Sequence, residues 1–154
     1  MYSRELRLPL GEQSCFLFGP RQTGKTTLLA MLAVNRLRFE VTLLDTATLL
    51  KYTREPGRFR REVAYWAEGH PGGIVVVDEI QKLPALLDEI HQLLDETRGH
   101  VTFVMTGSSA RKLKRSSANL LGGRAWPYTL FPLTCRELGK DFDLLAALRF
   151  GTLP

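Results

Sequence analysis

Residues 16–31, FLFGPRQTGKTTLLAM, contain the pattern G-x-x-x-x-G-K-[ST] without a gap, with Gly19, Gly24, Lys25 and Thr26 at its fixed positions. In such a loop, glycine lets backbone N–H groups point at phosphate oxygens, and the following helix adds the partial positive charge of its amino terminus. The lysine reaches the β- and γ-phosphates, and the threonine hydroxyl binds Mg²⁺. The stretch therefore predicts a nucleoside triphosphate site rather than a simple turn between a strand and a helix.

The flanking sequence supports this prediction, because CFLF before the loop is typical of a strand and LLAMLA after it is typical of a helix. We expect the whole loop to contact the nucleotide. The predicted contacts are Gly19, Pro20, Arg21, Gln22, Thr23, Gly24, Lys25, Thr26 and Thr27.

Two carboxylates follow a second apolar run in GGIVVVDEIQKLP, residues 72–84. Four aliphatic residues lead into Asp78 and Glu79, as at the end of a central buried strand. Asp78 is predicted to hold Mg²⁺ through water, and Glu79 to polarise the water that attacks the γ-phosphate. The alternative is a pair of solvated loop carboxylates; the buried strand favours the catalytic interpretation because ligands bind at the carboxyl edge of α/β sheets.

A third apolar run, in VTFVMTGSSARKL, ends in the hydroxyl residues Thr106, Ser108 and Ser109. A hydroxyl at the same sheet edge can contact the γ-phosphate or the attacking water, and Thr106 is the first choice for this role, ahead of Ser108. A helix cap formed by Ser108 or Ser109 is the alternative. Asp45, after the second predicted strand, is either a supporting residue of this edge or a cap.

Short apolar runs alternate with helical patterns along the chain, which predicts an α/β fold with a parallel sheet covered by helices on both faces. The predicted strands are Cys15–Phe18, Val41–Leu44, Ile74–Val77, Val101–Met105 and Pro127–Phe131. The predicted helices are Lys25–Ala33, Thr46–Tyr52, Phe59–Trp66 and Leu86–Glu96, and the capping-box spacing of Thr134 and Glu137 predicts another helix start.

The composition fits one globular domain, with 154 residues, 44% hydrophobic and 24% charged residues, and a net charge of +5. Neither a signal peptide nor an apolar run of membrane-spanning length is visible, which predicts a cytoplasmic protein with no membrane contact. Cys15 and Cys135 are expected to be reduced thiols. Trp66 and Trp126 are expected in the core, and the three histidines are too scattered to indicate a zinc site.

Taken together, the stretches GPRQTGKTTLL, VVVDEIQKLP, VMTGSSARKL, LLGGRAWPYTLFPLTCREL and RFGTLP resemble the AAA+ branch of P-loop ATPases. The closer resemblance is to a prokaryotic family of ATP-binding proteins in which an AAA domain precedes a carboxyl-terminal domain of unknown function. The resemblance implies a three-layer fold with a five-stranded sheet in the order 5-1-4-3-2, and ATP and Mg²⁺ as ligands. It also implies that Lys25 and Thr26 bind phosphate and metal, Asp78 the metal and Glu79 the water, with the sensor at Thr106 to Ser108.

We expect residues 1–154 to form one ATPase domain, with an amino-terminal segment at 1–12, a core at 13–133 and the start of a truncated helical segment at 134–154.

The charge that develops during phosphoryl transfer requires a cation. Arg124, in LLGGRAW, lies before the fifth predicted strand and would serve a neighbouring subunit of a homo-oligomer, as AAA+ fingers generally do. Arg111 would serve its own site, and a salt bridge or a solvated side chain is the alternative for both.

Two basic clusters raise the possibility of nucleic-acid binding. The first cluster surrounds Phe59 and consists of Arg54, Arg58, Arg60 and Arg61, although the spacing of Phe59, Val63 and Trp66 favours a core face. The second cluster consists of Arg111, Lys112, Lys114 and Arg115.

The preferred function is Mg²⁺-dependent ATP hydrolysis coupled to a conformational change that acts on an unknown protein partner. The alternatives are a non-hydrolysing ATP-binding switch, a P-loop small-molecule kinase and a nucleic-acid-binding module.

Overall fold

The computed structural model describes residues 2–110, 113 and 121–154. Strands and α-helices alternate along most of this length. The strands are β1 (Cys15–Phe18), β2 (Arg38–Thr42), β3 (Ile74–Asp78), β4 (Thr102–Gly107) and β5 (Trp126–Thr129). The helices of the core are α1 (Lys25–Leu32), α2 (Thr46–Arg54), α3 (Pro56–Gly69) and α4 (Leu86–Glu96), and two short helices follow at Cys135–Leu138 and Leu144–Phe150.

The five strands form one parallel sheet in the order β2-β3-β4-β1-β5. Cys15 of β1 pairs with Val104 of β4 on one side and with Trp126 of β5 on the other. The sheet confirms the predicted strand order and the predicted α/β class. All strands therefore end at one edge, where the loops that follow β1, β3 and β4 meet.

Strands β1 and β4 in the middle of the sheet are buried on both faces, and alternate residues of each strand point to opposite faces. Phe16 and Phe18 of β1 belong to a large apolar cluster with α2, α3 and α4. Cys15 and Leu17 belong to a second cluster, which includes Leu28 and Leu29 of α1. Helix α1, which follows the glycine-rich loop, is thus fixed against the face opposite to α4.

Local sequence signals set the ends of several helices. The carboxylate of Asp45 accepts a hydrogen bond from the backbone N–H of Thr48 at 2.8 Å, so Asp45 is an amino-terminal cap, one of its two expected roles. Pro56 occupies the first turn of α3, where its missing N–H is not needed. Helix α4 matches its predicted bounds, and its buried leucines lie on one face.

Several predictions along the chain were wrong in detail, among them that of β5, which covers Trp126–Thr129 rather than 127–131. Strand β2 covers Arg38–Thr42 rather than 41–44, because this edge strand has exposed polar residues that an apolar run does not reveal. Helix α3 is longer than the predicted 59–66 and begins at Pro56. Trp126 was expected in the core but is 56% exposed, because β5 is the other edge of the sheet and its outer face is uncovered.

The first basic cluster surrounds core residues instead of an exposed aromatic platform. Phe59 is fully buried, as the helical spacing favoured, and its ring contacts that of Tyr52 edge to face at 5.5 Å. Arg58 pairs with Glu62 at 2.8 Å, and Arg61 pairs with Glu55 at 2.5 Å. These carboxylates reduce the local positive charge that a nucleic acid would meet.

The carboxyl-terminal part of the chain begins with the predicted capping box. The Thr134 hydroxyl accepts from the backbone N–H of Glu137 at 3.2 Å, and the Glu137 carboxylate accepts from the backbone N–H of Thr134 at 3.0 Å. The last helix, Leu144–Phe150, has exposed leucines, and Leu148 is 76% exposed. Among the residues described, none of the helices has the length and apolar character that crossing a membrane requires.

The two cysteines differ in accessibility, and this difference gives a direct test of the fold. Cys15 is fully buried in β1, and desolvation raises the pKa of its thiol to about 12, whereas Cys135 is exposed. Because the thiolate is the reactive form, we expect an aromatic disulfide reagent at pH 8 to modify one thiol rapidly in the native protein and two after unfolding. Cys135→Ser should remove the rapid phase; rapid reaction of two thiols in the native wild type would contradict the buried position of β1.

Candidate active site

The loop between β1 and α1 is shaped by residues in the left-handed region of backbone conformation. Gly24 (φ 86°) caps α1, and Gln22 adopts φ 64°. Gly19 leaves no space for a side chain, because a Cβ added there would lie 2.3 Å from the carbonyl oxygen of Leu130. The loop is therefore pressed against the segment that follows β5, and a glycine is required at its first position.

The ammonium group of Lys25 lies inside this loop. Its Nζ donates hydrogen bonds of 2.9 Å to the carbonyl oxygens of Gly19 and Pro20. The Thr23 hydroxyl donates to the same Pro20 oxygen at 2.9 Å, and Thr23 is fully buried. Burial lowers the pKa of Lys25, while the negative charges of Glu79 and Asp78 act in the opposite direction. The loop thus presents a partly buried cation close to two carboxylates.

Asp78 ends β3, and Glu79 begins the turn that follows. Glu79 has a left-handed backbone conformation (φ 58°), which is rare for a residue with a side chain, and it is 8% exposed. The Thr106 hydroxyl at the end of β4 accepts the backbone N–H of Glu79 at 3.1 Å and donates its proton to the Asp78 carboxylate. One fully buried hydroxyl therefore fixes both acidic residues.

Gln81 connects the acidic pair to the end of β4. Its side-chain amide donates to the carboxylate of Glu79 and, at 3.1 Å, to the hydroxyl of Ser108. Gly107 leaves room for this amide, since a Cβ there would lie 2.6 Å from Gln81 Oε1. Ser108 thus reaches Glu79 through Gln81, whereas Thr106 reaches it through the backbone.

Most of the predicted site residues surround one cavity of about 440 Å³ at the carboxyl edge of the sheet, which we call the phosphate cavity. Its walls include both acidic residues and most of the loop. Of the predicted residues, Arg21, Gln22, Gly24, Lys25, Thr26, Thr27, Asp78 and Glu79 line it. Gly19, Pro20, Thr23, Thr106 and Ser108 are not among its lining residues. Gly19, Pro20 and Thr106 contact residues that line it, whereas Thr23 contacts Pro20 and Ser108 contacts Gln81.

Arg124 lies apart from these residues. It precedes β5 near Trp126, which pairs with Cys15 at the beginning of β1, so it is at the sheet edge opposite to the phosphate cavity. Its guanidinium contacts the Asp95 carboxylate at 3.0 Å, and the side chain is 42% exposed. Arg111, the other candidate cation, lies outside the described residues, as do Lys112, Lys114 and Arg115 of the second basic cluster.

Sequence reasoning missed two residues near the site. Gln81 has a local signal, because it follows Glu79 by two positions in a tight turn after a strand. Arg4 has none: its guanidinium donates to the carbonyl oxygen of Phe131, which is 127 positions away. Such a contact depends on the tertiary fold rather than on spacing.

A parallel α/β sheet with a glycine–lysine loop after its first strand, facing two acidic residues after a neighbouring strand, defines the class of P-loop nucleotide-binding proteins. A family model described as "AAA domain" matches residues 11–139, which is most of the chain. The chain therefore belongs to this family of P-loop ATPase domains.

Two curated relatives are similar to the chain. They are uncharacterized proteins from Mycobacterium bovis and Mycobacterium tuberculosis, and each is 30% identical to the chain over 138 residues. The match covers 90% of this chain but 29% of each relative, so the chain spans less than a third of the length of the relatives that it matches.

The contacts of Thr106 lead to a stability prediction. In Thr106→Val the side chain keeps its shape, but the buried N–H of Glu79 loses its acceptor and Asp78 loses its donor. We expect the free energy of unfolding to fall by about 1–3 kcal/mol. Urea denaturation measures this change, with Thr106→Ser, which retains the hydroxyl, as the matched control. A valine variant as stable as the serine variant would mean that the hydroxyl does not fix the acidic pair.

Proposed function

We propose that this chain binds ATP with Mg²⁺ and hydrolyses it, and that the cycle drives a conformational change. The observation that supports this proposal most directly is the set of residues around the phosphate cavity. Lys25 and Thr26 at the start of α1 line it, as do Asp78 and Glu79 at the end of β3. Membership of the AAA domain family supports ATP as the nucleotide.

In this proposal, the loop binds the triphosphate. Arg21 and Lys25 supply positive charge, and the amino terminus of α1 at Gly24 adds its partial positive charge. The Lys25 ammonium already binds two carbonyl oxygens of the loop, so its position is set before a phosphate is present. A phosphate oxygen would also offset the cost of burying this cation, which is expressed in its lowered pKa.

The residues for Mg²⁺ are the Thr26 hydroxyl and the Asp78 carboxylate. Both are hard oxygen donors on the wall of the same cavity, which is the ligand type that this ion prefers. When bound there, Mg²⁺ would neutralise part of the charge of the phosphates. Thr106 has a positioning role here, because its hydroxyl orients the carboxylate of Asp78.

Glu79 is proposed to accept the proton of the attacking water. Its carboxylate lines the phosphate cavity, and the amide of Gln81 donates to that carboxylate. Gln81 also contacts Ser108, which follows β4 directly, so a change at Glu79 would be transmitted through Gln81 to the end of β4. We therefore propose Thr106, the first choice from the sequence, and Ser108, acting through Gln81, as the sensor of hydrolysis.

The main test is the substitution Glu79→Gln, which keeps the size of the side chain but removes the base. We expect ATP binding to be retained and phosphate release to fall by at least about 100-fold, because general-base catalysis contributes about 10²–10⁴-fold. Phosphate release and ATP affinity are measured together. Lys25→Ala should lose both, and Glu68→Gln on the exposed surface of α3 should lose neither.

The outcome separates the proposed function from its alternatives. Hydrolysis at the wild-type rate in Glu79→Gln would refute the assignment of the base. Tight ATP binding without phosphate release in the wild type would instead support an ATP-binding switch. Loss of ATP without release of inorganic phosphate, when small-molecule acceptors are present, would support a kinase.

Arg124 is proposed to act in a homo-oligomer, on the nucleotide of a neighbouring subunit. Its exposed position and its distance from the phosphate cavity of its own chain support this role. The ion pair with Asp95 orients the guanidinium at the surface. The remaining parts of the proposal, a protein partner that the cycle acts on and a cytoplasmic location, rest on the sequence arguments given above.

Turnover per chain should therefore rise with protein concentration. Arg124→Ala should remove this rise and lower turnover at high concentration by about 10³-fold or more, the lower end of the contribution of an arginine finger. Asp95→Asn, which removes the ion pair but keeps the guanidinium, should retain most of the activity. Turnover that is constant over a wide concentration range would show that each chain completes its own site.

A further inference from the structure

A second cavity of about 530 Å³ adjoins the phosphate cavity. The two cavities share Gln22, Gly24 and Thr27, which are residues of the loop and of the first turn of α1. One molecule can therefore extend from one cavity into the other across the tip of the loop. The second cavity, which we call the base cavity, lies on the side of the loop away from Asp78 and Glu79, neither of which lines it.

The walls of the base cavity combine apolar surface with one buried cation. Tyr2, Met31 and Leu133 contribute apolar side chains from three separate parts of the chain. Tyr2 and Met31 are 37% and 44% exposed, so an aromatic ring and a thioether are available for contact at the rim. Arg4 also lines the cavity, and its side chain is 8% exposed.

The guanidinium of Arg4 is only partly satisfied. One Nη donates to the carbonyl oxygen of Phe131, and Nε lies 3.4 Å from a carboxylate oxygen of Glu137. Neither Nε nor Nη1 has a hydrogen-bond partner among the described residues. A buried donor without an acceptor is costly, so Nη1 indicates an acceptor that a ligand of this cavity would supply.

Arg4 is held in position by contacts that do not involve a ligand. Glu137 accepts from the backbone N–H of Glu5 at 2.9 Å and from that of Thr134 at 3.0 Å, besides pairing with Arg4. The amino-terminal segment is thereby attached to the helix Cys135–Leu138. Little side-chain freedom remains to be lost when a ligand binds, which favours recognition by this guanidinium.

We propose that the base cavity receives the base of the nucleotide whose phosphates lie in the phosphate cavity, and that Arg4 determines base recognition by donating a hydrogen bond from Nη1 to an acceptor of the ring. A nucleobase has apolar faces that suit Tyr2 and Met31, and it has ring acceptors at its edge. Inorganic triphosphate has no such part and would occupy the phosphate cavity alone. This inference rests on the proposed function, because it assumes that the loop binds a nucleoside triphosphate.

The test compares the affinities of ATP and of inorganic tripolyphosphate, each with Mg²⁺, by calorimetry on the full chain. In Arg4→Met we expect the dissociation constant of ATP to rise by about tenfold or more, because a hydrogen bond from a charged donor is lost. The dissociation constant of tripolyphosphate should change by less than about twofold. Arg7→Met, an exposed arginine of the same segment, is the matched control and should change neither constant.

Arg4→Lys tests whether Arg4 affects ATP affinity by contacting the base or only by attaching the amino-terminal segment to Glu137. Lysine retains a positive charge for Glu137 but does not have the second donor arm, so ATP affinity should still fall while the thermal unfolding midpoint stays close to that of the wild type. An equal loss of ATP and tripolyphosphate affinity in Arg4→Met would overturn the inference, because Arg4 would then act on the loop. Unchanged ATP affinity would overturn it as well. If the wild type binds neither compound, the proposed function fails and this inference fails with it.

Discussion

The parallel ladder of β3, β4 and β1 is the constraint on which the site depends. Leu17 pairs with Thr106, and Val77 pairs with Met105, so the three strands end at the same level. The loop after β1, the acidic pair after β3 and the hydroxyl of β4 meet for this reason. A slip of one residue in either ladder would turn each side chain of that strand to the other face, which would separate the Thr106 hydroxyl from Asp78.

The charged groups of Lys25, Asp78 and Glu79 each have a hydrogen-bond partner in the site. Lys25 is 7% exposed, and its ammonium binds two backbone oxygens and lies close to the charges of Asp78 and Glu79. Burial of an ammonium without such partners would be costly. The same arrangement keeps the cation and the carboxylates on different walls of one cavity, where an anion with a bound cation fits between them.

The sequence predicted the parts of the fold that are governed by local patterns. Strand β1 and helix α4 were predicted residue for residue, because a continuous apolar run and a 3.6-residue period identify fully buried elements. The edge strands were misplaced, since β2 and β5 are partly exposed and contain polar residues or an exposed tryptophan. The strand order was correct because the resemblance to a known family supplied it.

The candidate site divides in the same way. Most of the predicted loop residues line one cavity with Asp78 and Glu79, and the sequence could group them because the loop pattern has fixed spacings and the two carboxylates end an apolar run. Gln81 has its position in the turn after β3 as a local signal, but its contact with Ser108 could not be predicted because it depends on the close approach of β4. The role of Arg4 could not be predicted from the sequence, because its partners Phe131 and Glu137 come from the far end of the chain.

The two ends of the described chain meet at the base cavity. Tyr2 and Pro154 both line it, a Cβ on Gly24 would lie 3.7 Å from the Pro154 ring, and the Thr152 carbonyl accepts from the backbone N–H of Leu133 at 2.8 Å. Residues 2 and 154 thus lie beside the same part of the loop between β1 and α1. In a circular permutation that joins residues 2 and 154, the short linker would therefore run along this cavity, and the order of the strands in the sheet would not change.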